Sequence, residues 1–566
     1  MMNRNTRAVL AAASALVLTA GCQTERDDGI FDPRAIGRDE REASTTYNRQ
    51  NLRPLPTTLQ SRFLPNQNQS AMPPEEPTRV PIASPEQTVA LPLREIAQRA
   101  VTNNYNVKVS GYTPAIDETR ITEAEARFDP EFFSSVTFEQ RRQAFGEANN
   151  EADVLSTETG LRQLLPSGGQ VEVSYRPQRV NGAGDEDAEG GFNWTNEVRL
   201  QITQPLLRDF GFAINRARIT INRNNQRVSL LDFRRDVEEL LRNVEENYWR
   251  LVQAQQNVRI LEELLQRTMD TAGRVRERYG QDVTLEQVSN SIARVESART
   301  NLIRARQRVA DLSDQLKNFM NDPDYPVAGP TLILPADKPL ESVVYFDFND
   351  SIQTAQANRF ELGQQQIRVD SANIALQVAK NNELPQLNLV GSVGTQAVGE
   401  DYIESNTELA DSHDDISFSI GLQFVQRLGN REARAIFRRA QLQRMQAVDQ
   451  YRGLIDQVSL DVKIAQREVE ASWQSIAQTR ATRFAAGKAL DVIGTLEEGG
   501  NALTPDFLDR KLNRQQELAV AEQNEADAIA SYNIAISRFE SAKGTILRYN
   551  NVVLDEEKRA ITKANY

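Results

Sequence analysis

Apolar residues recur every seven positions along several long stretches of the chain. A sustained seven-residue spacing keeps one face of a helix against a partner helix and produces a left-handed supercoil. The pattern therefore predicts paired helices of unusual length. One of them runs from about Ala213 to Tyr279 and would be about 100 Å long at ~1.5 Å per residue. The positions are Leu230, Val237, Val244, Leu251, Val258 and Leu265 in the first stretch, Val288, Val295, Leu302, Val309 and Leu316 in the second, and Val448, Ile455, Val462, Val469 and Ile476 in the third.

A second pattern, the alternation of apolar and polar residues, predicts β-strands. It occurs near 132–140 and 197–204 in the first half of the chain, and near 387–395 and 416–425 in the second half. Strands with one apolar and one polar face suit the wall of a membrane barrel, with lipid outside and water inside. Four strands cannot close a pore-sized barrel alone, and an open sheet edge cannot lie in hydrocarbon, so an oligomer must share the barrel.

A further hairpin is predicted near 157–176, and the second half has no counterpart to it. Its turn is Leu165-Pro166-Ser167-Gly168-Gly169. The hairpin either adds a strand pair to the barrel, giving six strands per subunit instead of four, or forms an outer loop folded over the mouth. We slightly favour the loop. Phe192 and Trp194 either belong to an interfacial aromatic belt or pack this loop.

The chain carries one structural plan twice. When Pro130 is placed opposite Pro385, at an offset of 255 residues, the helix and strand patterns of the two halves align without gaps. Farther on, Gly280 aligns with Gly500 at an offset of 220, so the first half contains 35 extra residues. Such self-similarity indicates an internal repeat. The predicted parts are a first repeat at 88–330, a second repeat at 331–548 and a C-terminal tail at 549–566.

The first 21 residues have the features of an export signal, with a positive end, an apolar core and small residues before a cut. The next residue, Cys22, is the chain's single cysteine, and Leu18-Thr19-Ala20-Gly21 before it resembles a bacterial lipoprotein box. That box usually has Leu where Thr19 stands. We expect a signal peptide at 1–21 and a covalent lipid on Cys22; the alternative is a free thiol. Residues 22–87, rich in Pro, Asn and Arg, predict a linker or surface strap.

Composition limits the possible functions. After the signal, no segment is apolar for long enough to span a bilayer as a helix. The net charge of -13, with basic residues interleaved among acids, argues against nucleic-acid binding. The single histidine, His413, lies in a polar run between two predicted strands and cannot form a His-rich metal site or a Ser-His-Asp triad. We therefore expect no enzyme, no metal and no cofactor other than the lipid on Cys22.

From about residue 88 to 548, the organisation resembles the TolC-like outer membrane efflux protein family. The repeated order of helix, strand pair, long helix, Gly-containing tip and return helix carries the resemblance. Gln204-Pro205-Leu206-Leu207 before Gly211 is similar to the family's strand-to-helix corner, and Tyr248-Trp249 to part of its long helix. At the second corner Gln426 stands where the family usually has Pro, which puts the bend there in doubt. The resemblance implies a mainly α fold with membrane β, in which antiparallel coiled coils form an α-barrel and three subunits share a twelve-stranded β-barrel.

The two predicted helical tips, near 280–288 and 499–509, differ in charge. At the second tip Gly500 relieves the turn, Thr504 can cap the returning helix and Pro505 suits its first position. In resembling channels this tip lines the periplasmic entrance, and acids six and nine residues after the Gly ring the constriction. Asp506 and Asp509 hold those positions, so six carboxylates of a trimer would favour cations. The alternative is a helix-capping role for Asp506.

The first tip contains Gly280, Thr284 and Glu286, but Ser289 replaces a second acid. Its weaker charge suggests the outer position, where a periplasmic adaptor could dock. The resemblance implies a passive homotrimeric duct across the outer membrane and periplasm of a Gram-negative cell, working with an inner-membrane RND or ABC transporter in efflux or type I secretion. The alternative is a periplasmic adaptor or structural coiled-coil lipoprotein, although an adaptor would show one hairpin interrupting small β domains.

Overall fold

A computed structural model of the chain describes residues 87–145, 148–182, 193–411, 416–499 and 504–552. The chain divides into two units, Met1–Ile82 and Ala83–Tyr566, and all described residues belong to the second unit. Several predicted features therefore lie outside the described residues. They are the signal peptide, Cys22, nearly all of the 22–87 strap, Phe192, His413, Gly500 and most of the C-terminal tail.

Two long antiparallel helix pairs make up most of the second unit. Helix α4 (Ala217–Glu277) pairs with α5 (Leu285–Met320), and α9 (Arg431–Glu498) pairs with α10 (Pro505–Ala542). At 61 residues, α4 is about 92 Å long at ~1.5 Å per residue, which confirms the predicted long helix. The shorter helices are α1 (Leu93–Asn103), α2 (Tyr105–Glu125), α3 (Phe212–Asn215), α6 (Phe348–Asn358), α7 (Phe360–Asn381), α8 (Tyr402–Asp411) and α11 (Ile546–Tyr549).

The seven-residue spacing lies where the helices pack. Val237, Val244 and Leu251 are fully buried on α4, and Val462 and Val469 are buried on α9. The core of the first pair also contains the buried side chains Leu312, Leu316 and Met320, and that of the second contains Tyr532, Ala535 and Phe539. Of the helices in the part of the chain that the structure describes, none is both long and apolar enough to cross a membrane.

Six strands form one antiparallel sheet in the order β2-β3-β4-β5-β7-β8. The strands are β2 (Glu131–Phe145), β3 (Ala148–Leu164), β4 (Gln170–Gly182), β5 (Asn193–Pro205), β7 (Gln386–Gly399) and β8 (Ile416–Val425). The four predicted strands are present. The extra hairpin is β3 and β4, and it is inserted between β2 and β5, so the slightly favoured loop interpretation is wrong. The first half thus contributes four strands and the second half two, and the internal repeat itself stays a prediction.

A small parallel sheet was not predicted. Its strands β1 (Gln87–Leu91) and β6 (Thr331–Pro335) pair beside the first helix pair, and Ile333 of β6 is fully buried there. Tyr248 of α4 fixes the segment that follows β6. Its hydroxyl accepts hydrogen bonds from the backbone nitrogens of Ala336 (3.1 Å) and Asp337 (3.0 Å). The segments that contain β1 and β6 are therefore joined beside the first helix pair.

Both strand-to-helix corners turn sharply. At the first corner, Gly211 has φ +103°, a conformation that favours glycine, and α3 follows it directly. At the second corner, Gly429 has φ +83° and Asn430 has φ +39°, after which α9 begins. Two consecutive left-handed residues therefore make the bend at this corner, where Gln426 stands in place of the proline that the resemblance implies.

Candidate functional site

One face of the six-stranded sheet is an exposed apolar surface. The strand register places one apolar side chain from each strand in a single row, each residue opposite its neighbour on the next strand. These side chains are 37–78% exposed. A contiguous row of exposed apolar side chains is unusual on the surface of a water-soluble protein. We name this set the apolar row; it consists of Phe132, Leu161, Val173, Leu200, Val393 and Phe418.

The opposite face is polar. The residue beside each member of the apolar row points to the other side, because successive side chains of a strand alternate between faces. Arg162 donates to Glu131 at 2.8 Å, and the hydroxyls of Ser392 and Ser419 are 2.8 Å apart. We name this set the polar row; it consists of Glu131, Arg162, Glu172, Gln201, Ser392 and Ser419.

The sheet has two free edges within the described residues, at β2 and at β8. On β8 the whole apolar face is exposed, from Ile416 to Phe424, with 61–78% of each apolar side chain accessible. Because the six strands alternate in direction, β2 and β8 run in opposite directions. An edge with unpaired backbone groups beside an apolar face requires a partner in any apolar environment.

An aromatic cluster covers the end of the sheet that is farther from the long helices. The rings of Trp194 and Tyr402 meet edge to face with their centroids 5.1 Å apart. The Tyr175 hydroxyl donates to Asn406 at 2.8 Å and lies 3.2 Å from the Tyr402 hydroxyl. Trp194 therefore packs against α8, an element that the sequence analysis did not predict. Placement of Trp194 in a membrane-interface belt stays a prediction.

The first helical tip combines a glycine turn with a threonine cap, and this cap was not predicted from the sequence. Gly280 has φ +84°, and Thr284 caps α5. The cap is reciprocal: the Thr284 hydroxyl accepts from the Gln287 nitrogen at 3.4 Å, and the Gln287 side chain accepts from the Thr284 nitrogen at 2.7 Å. This capping box satisfies two backbone donors that the helix start would otherwise leave free. Glu286 is exposed in the first turn of α5.

At the second tip, Thr504 caps α10 by accepting from the Phe507 nitrogen at 3.3 Å, and Pro505 occupies the first helical turn, as predicted. Asp506 is 81% exposed and pairs with Arg510 at 3.0 Å, so its charge is available to solvent. Asp509 is also exposed. It accepts a hydrogen bond of 3.0 Å from the side chain of Asn290 on α5, which ties it to the other helix pair.

A joint between the two tips was missed from the sequence. Lys511 is only 5% exposed and its ammonium contacts Glu497, which also lies 3.3 Å from Arg274 of the first helix pair. These three charges sit above a small apolar cluster shared by both tips: Val275, Val283, Phe507, Leu508 and Leu512. The signal that could have revealed the joint is the position of Lys511, three residues after Leu508 on the face of α10 where an apolar residue is expected.

The acidic side chains of the described residues are not grouped as metal ligands. Among the described residues, no group of three or more His, Cys, Asp or Glu side chains is placed to hold a metal ion. The arrangement offers instead an amphipathic sheet with open edges at one end of the helices, and exposed carboxylates at the tips of the long helices.

The sequence matches none of the protein-family models, and no curated protein is a significant match. Solved structures are similar in fold. CusC, described in terms of folding and transmembrane channel formation, has a TM-score of 0.59 at 15% identity, with 85% of this chain and 99% of that chain covered. The outer membrane protein VceC of Vibrio cholerae has a TM-score of 0.56 at 15% identity, with 80% and 96% covered. The MtrE outer membrane channel of Neisseria gonorrhoeae has a TM-score of 0.57 at 16% identity, with 80% and 89% covered. The chain therefore has the fold of TolC-like outer-membrane channels.

Proposed function

We propose that the chain is one subunit of a homotrimeric outer-membrane channel, a passive duct that leads from the periplasm through the outer membrane. Its solved neighbours include proteins described as outer membrane channels. The sheet is the membrane part, and the long helix pairs extend into the periplasm. Because the duct itself has no energy source, an inner-membrane transporter and a periplasmic adaptor supply the drive for efflux or secretion.

The observation that carries the proposal is the sheet with one apolar and one polar face. In water the exposed apolar row would be unfavourable, at roughly 25 cal/mol for each Å² of apolar surface left in contact with solvent. In a bilayer the same row contacts lipid, and the polar row lines a water-filled lumen. A periplasmic adaptor or structural coiled-coil lipoprotein has no need for a six-stranded sheet with this polarity.

The two edges of the sheet support closure of the barrel. Because β2 and β8 run in opposite directions, β8 of one copy pairs antiparallel with β2 of the next when copies are related by rotation about the pore axis. All backbone groups are then paired, as a spanning sheet requires. Extraction in mild detergent followed by native mass spectrometry tests this step, and a species of three chains is expected. A species of one chain after the same extraction contradicts it.

The second tip is the proposed gate, in which Asp506 and Asp509 from three subunits surround the periplasmic entrance. A ring of carboxylates favours cations and repels anions. Replacing both residues by Ala is expected to lower cation selectivity in planar bilayers. The Glu286→Ala variant is the control, because Glu286 is also an exposed acid in the first turn of a tip helix. Unchanged selectivity in the double variant would overturn the gate, and loss of selectivity in Glu286→Ala would move it to the first tip.

The first tip, with Gly280, Thr284 and Glu286, is the proposed adaptor surface, and Cys22 is the proposed lipid anchor. Lipidation would add a diacylglycerol thioether to Cys22 and would hold the N terminus at the membrane. Intact-mass analysis of the mature protein tests the anchor. A mature chain that begins at Cys22 and carries acyl groups is expected, whereas a free Cys22 thiol in the mature chain contradicts lipidation.

A further inference from the structure

We infer that the β3–β4 hairpin is part of the membrane-embedded wall and sets the bore of the channel. Three subunits would then form a barrel of eighteen strands, wide enough for polar cargo of larger cross-section than a twelve-stranded barrel admits. The inference rests on the proposed function. It departs from the barrel that the family resemblance implies.

The position of the hairpin in the sheet is the first argument. β3 pairs with β2 from Glu131 opposite Arg162 to Phe145 opposite Ala148, and β4 pairs with β5 from Gln170 opposite Thr203 to Val180 opposite Asn193. The hairpin is therefore inserted in the middle of the sheet and does not extend from its edge. Without it, β2 and β5 would each lose their partner along most of their length, so the wall cannot be continuous unless the hairpin spans it.

The two faces of the hairpin are the second argument. Leu161 and Val173 are 53% and 46% exposed and lie in the apolar row, between Phe132 and Leu200. Their chain neighbours Arg162 and Glu172 lie in the polar row. β3 has 17 residues and β4 has 13, and a tilted membrane strand needs about 9–11. Both strands therefore have the polarity and length of a barrel wall.

In the middle of the hairpin, charged side chains pair on the polar face. Arg176 of β4 lies 2.8 Å from Glu158 of β3 and 3.9 Å from Glu197 of β5, and Glu197 also contacts Arg199. This ladder of alternating charge crosses from the hairpin to β5 without leaving the polar face. Charged side chains on the lipid face of a barrel are destabilising, whereas they are tolerated in a watery lumen. The ladder therefore indicates which face of the hairpin meets water.

The turn of the hairpin lies at the helix end of the sheet. Gly168 in this turn has φ +92°, and the Ser167 carbonyl accepts from the Gly211 nitrogen at 2.9 Å. The Ser167 hydroxyl donates to the Gln204 side chain at 3.0 Å. Gln204 and Gly211 belong to the corner between β5 and the helices. A loop over the outer mouth would place this turn at the opposite end of the sheet.

The number of strands sets the bore. With ~4.8 Å between strands and a tilt of about 40°, eighteen strands give a circumference of about 110 Å and a backbone diameter of about 36 Å. Twelve strands give about 24 Å by the same estimate. The added strands line the lumen with paired charges, including the Arg176 ladder, which suits hydrated cargo.

Single-cysteine labelling in liposomes tests the placement of the hairpin. An environment-sensitive fluorophore is attached to the introduced cysteine of Leu161→Cys or of Val173→Cys. The unsubstituted chain, treated in the same way, measures the background labelling of Cys22. Leu200→Cys is the matched control in the same row, and Gln201→Cys is the control for the polar face. We expect nitroxide lipids to quench Leu161→Cys and Val173→Cys as strongly as Leu200→Cys, and aqueous iodide to quench Gln201→Cys.

If iodide quenches the two hairpin positions while nitroxide lipids quench Leu200→Cys, the inference is overturned and the proposed channel function still stands. Iodide quenching of Leu200→Cys as well would overturn the proposed function first. The bore has its own readout in electron cryomicroscopy of the detergent-extracted trimer. Eighteen strands around a barrel of about 110 Å circumference support the inference, and twelve strands contradict it.

Discussion

The sheet and the helix pairs of this chain have opposite polarity. In the helix pairs the heptad residues Val244 and Leu251 are fully buried and most charged side chains face outward. In the sheet the apolar side chains are the exposed ones, with Phe418 at 78%, and the ion pairs lie on the other face. One chain therefore uses the same residue types in two ways. In the proposed channel the surroundings explain the difference, because the helices have water outside and the sheet has lipid outside.

The largest expected effect is in the helix pairs. Leu251→Ala removes a fully buried side chain from the core of the first pair and leaves a cavity. The free energy of unfolding should therefore fall by about 2–5 kcal/mol. Circular dichroism of the detergent-extracted protein, followed against temperature, measures the loss. Ile303→Ala on α5 is the control, because Ile303 is 50% exposed. Equal loss in both variants would contradict the assigned core.

In the sheet the decisive substitution is the introduction of charge. Leu200→Arg places a cation on the lipid face and is expected to destabilise the inserted state by about 2–4 kcal/mol near the bilayer midplane. Gln201→Arg, one residue along on the polar face, should have little effect. The fraction of protein that inserts into liposomes, separated by flotation, measures both. If the two variants insert equally, the assigned difference between the faces is contradicted; if only Gln201→Arg fails to insert, the faces have been assigned the wrong way round.

Much of this contrast could be predicted from the sequence, because both patterns are local. The seven-residue spacing predicts α4 from about Ala213, and the structure starts it at Ala217 after the short α3. The cap at Thr504 is predicted from a residue type that suits a helix start, whereas the cap at Thr284 was found only in the structure. Alternation alone predicts a strand near 416–425, and β8 spans Ile416–Val425.

The missed features depend on contacts between distant parts of the chain. Alternation predicts the hairpin strands but not their partners, so an outer loop and a wall strand look the same in sequence. The Ile333 strand is a short apolar run, which is equally consistent with a strand and with a buried helix segment. The buried ion pair of Lys511 with Glu497 joins α10 to the end of α9 across a tip. The position of Lys511 on the apolar face of α10 marks it as unusual, but that position does not identify Glu497 as its partner.

A buried acid gives the helix pairs a pH dependence. Glu238 is 7% exposed, and one of its carboxylate oxygens has no hydrogen-bond partner. Burial, with a smaller contribution from the charge of Glu361, raises the pKa of Glu238 from its ordinary value of 4.5 to about 7, although Arg359 opposes this. The folded carboxyl thus holds its proton more tightly than the unfolded one. Stability therefore falls as pH rises from about 4.5 to about 7.

Glu238→Gln removes the buried charge and should stabilise the protein above pH 7 by up to about 3 kcal/mol, with no gain near pH 4. Melting temperatures of variant and parent between pH 4 and pH 8 measure this, and the difference should grow as the pH rises. Glu239→Gln is the control, since the neighbouring Glu239 side chain is 60% exposed. A difference that is constant with pH would show that packing, not charge, distinguishes the variant.

The two tips give the smallest and most local comparison. Thr284→Ala removes one half of a reciprocal capping box, whereas Thr504→Ala removes a single hydrogen bond to the Phe507 nitrogen. Loss of a cap costs about 0.5–2 kcal/mol, and we expect Thr284→Ala near the upper end and Thr504→Ala near the lower. Thr→Ser at each position keeps the hydroxyl and should restore the cap. Amide hydrogen exchange at the start of α5 and of α10 measures each loss separately. Faster exchange confined to the altered tip is expected because the two caps share no hydrogen bond. Faster exchange at both tips would instead mean that the Lys511 joint makes them open together, and the tips would then act as one unit.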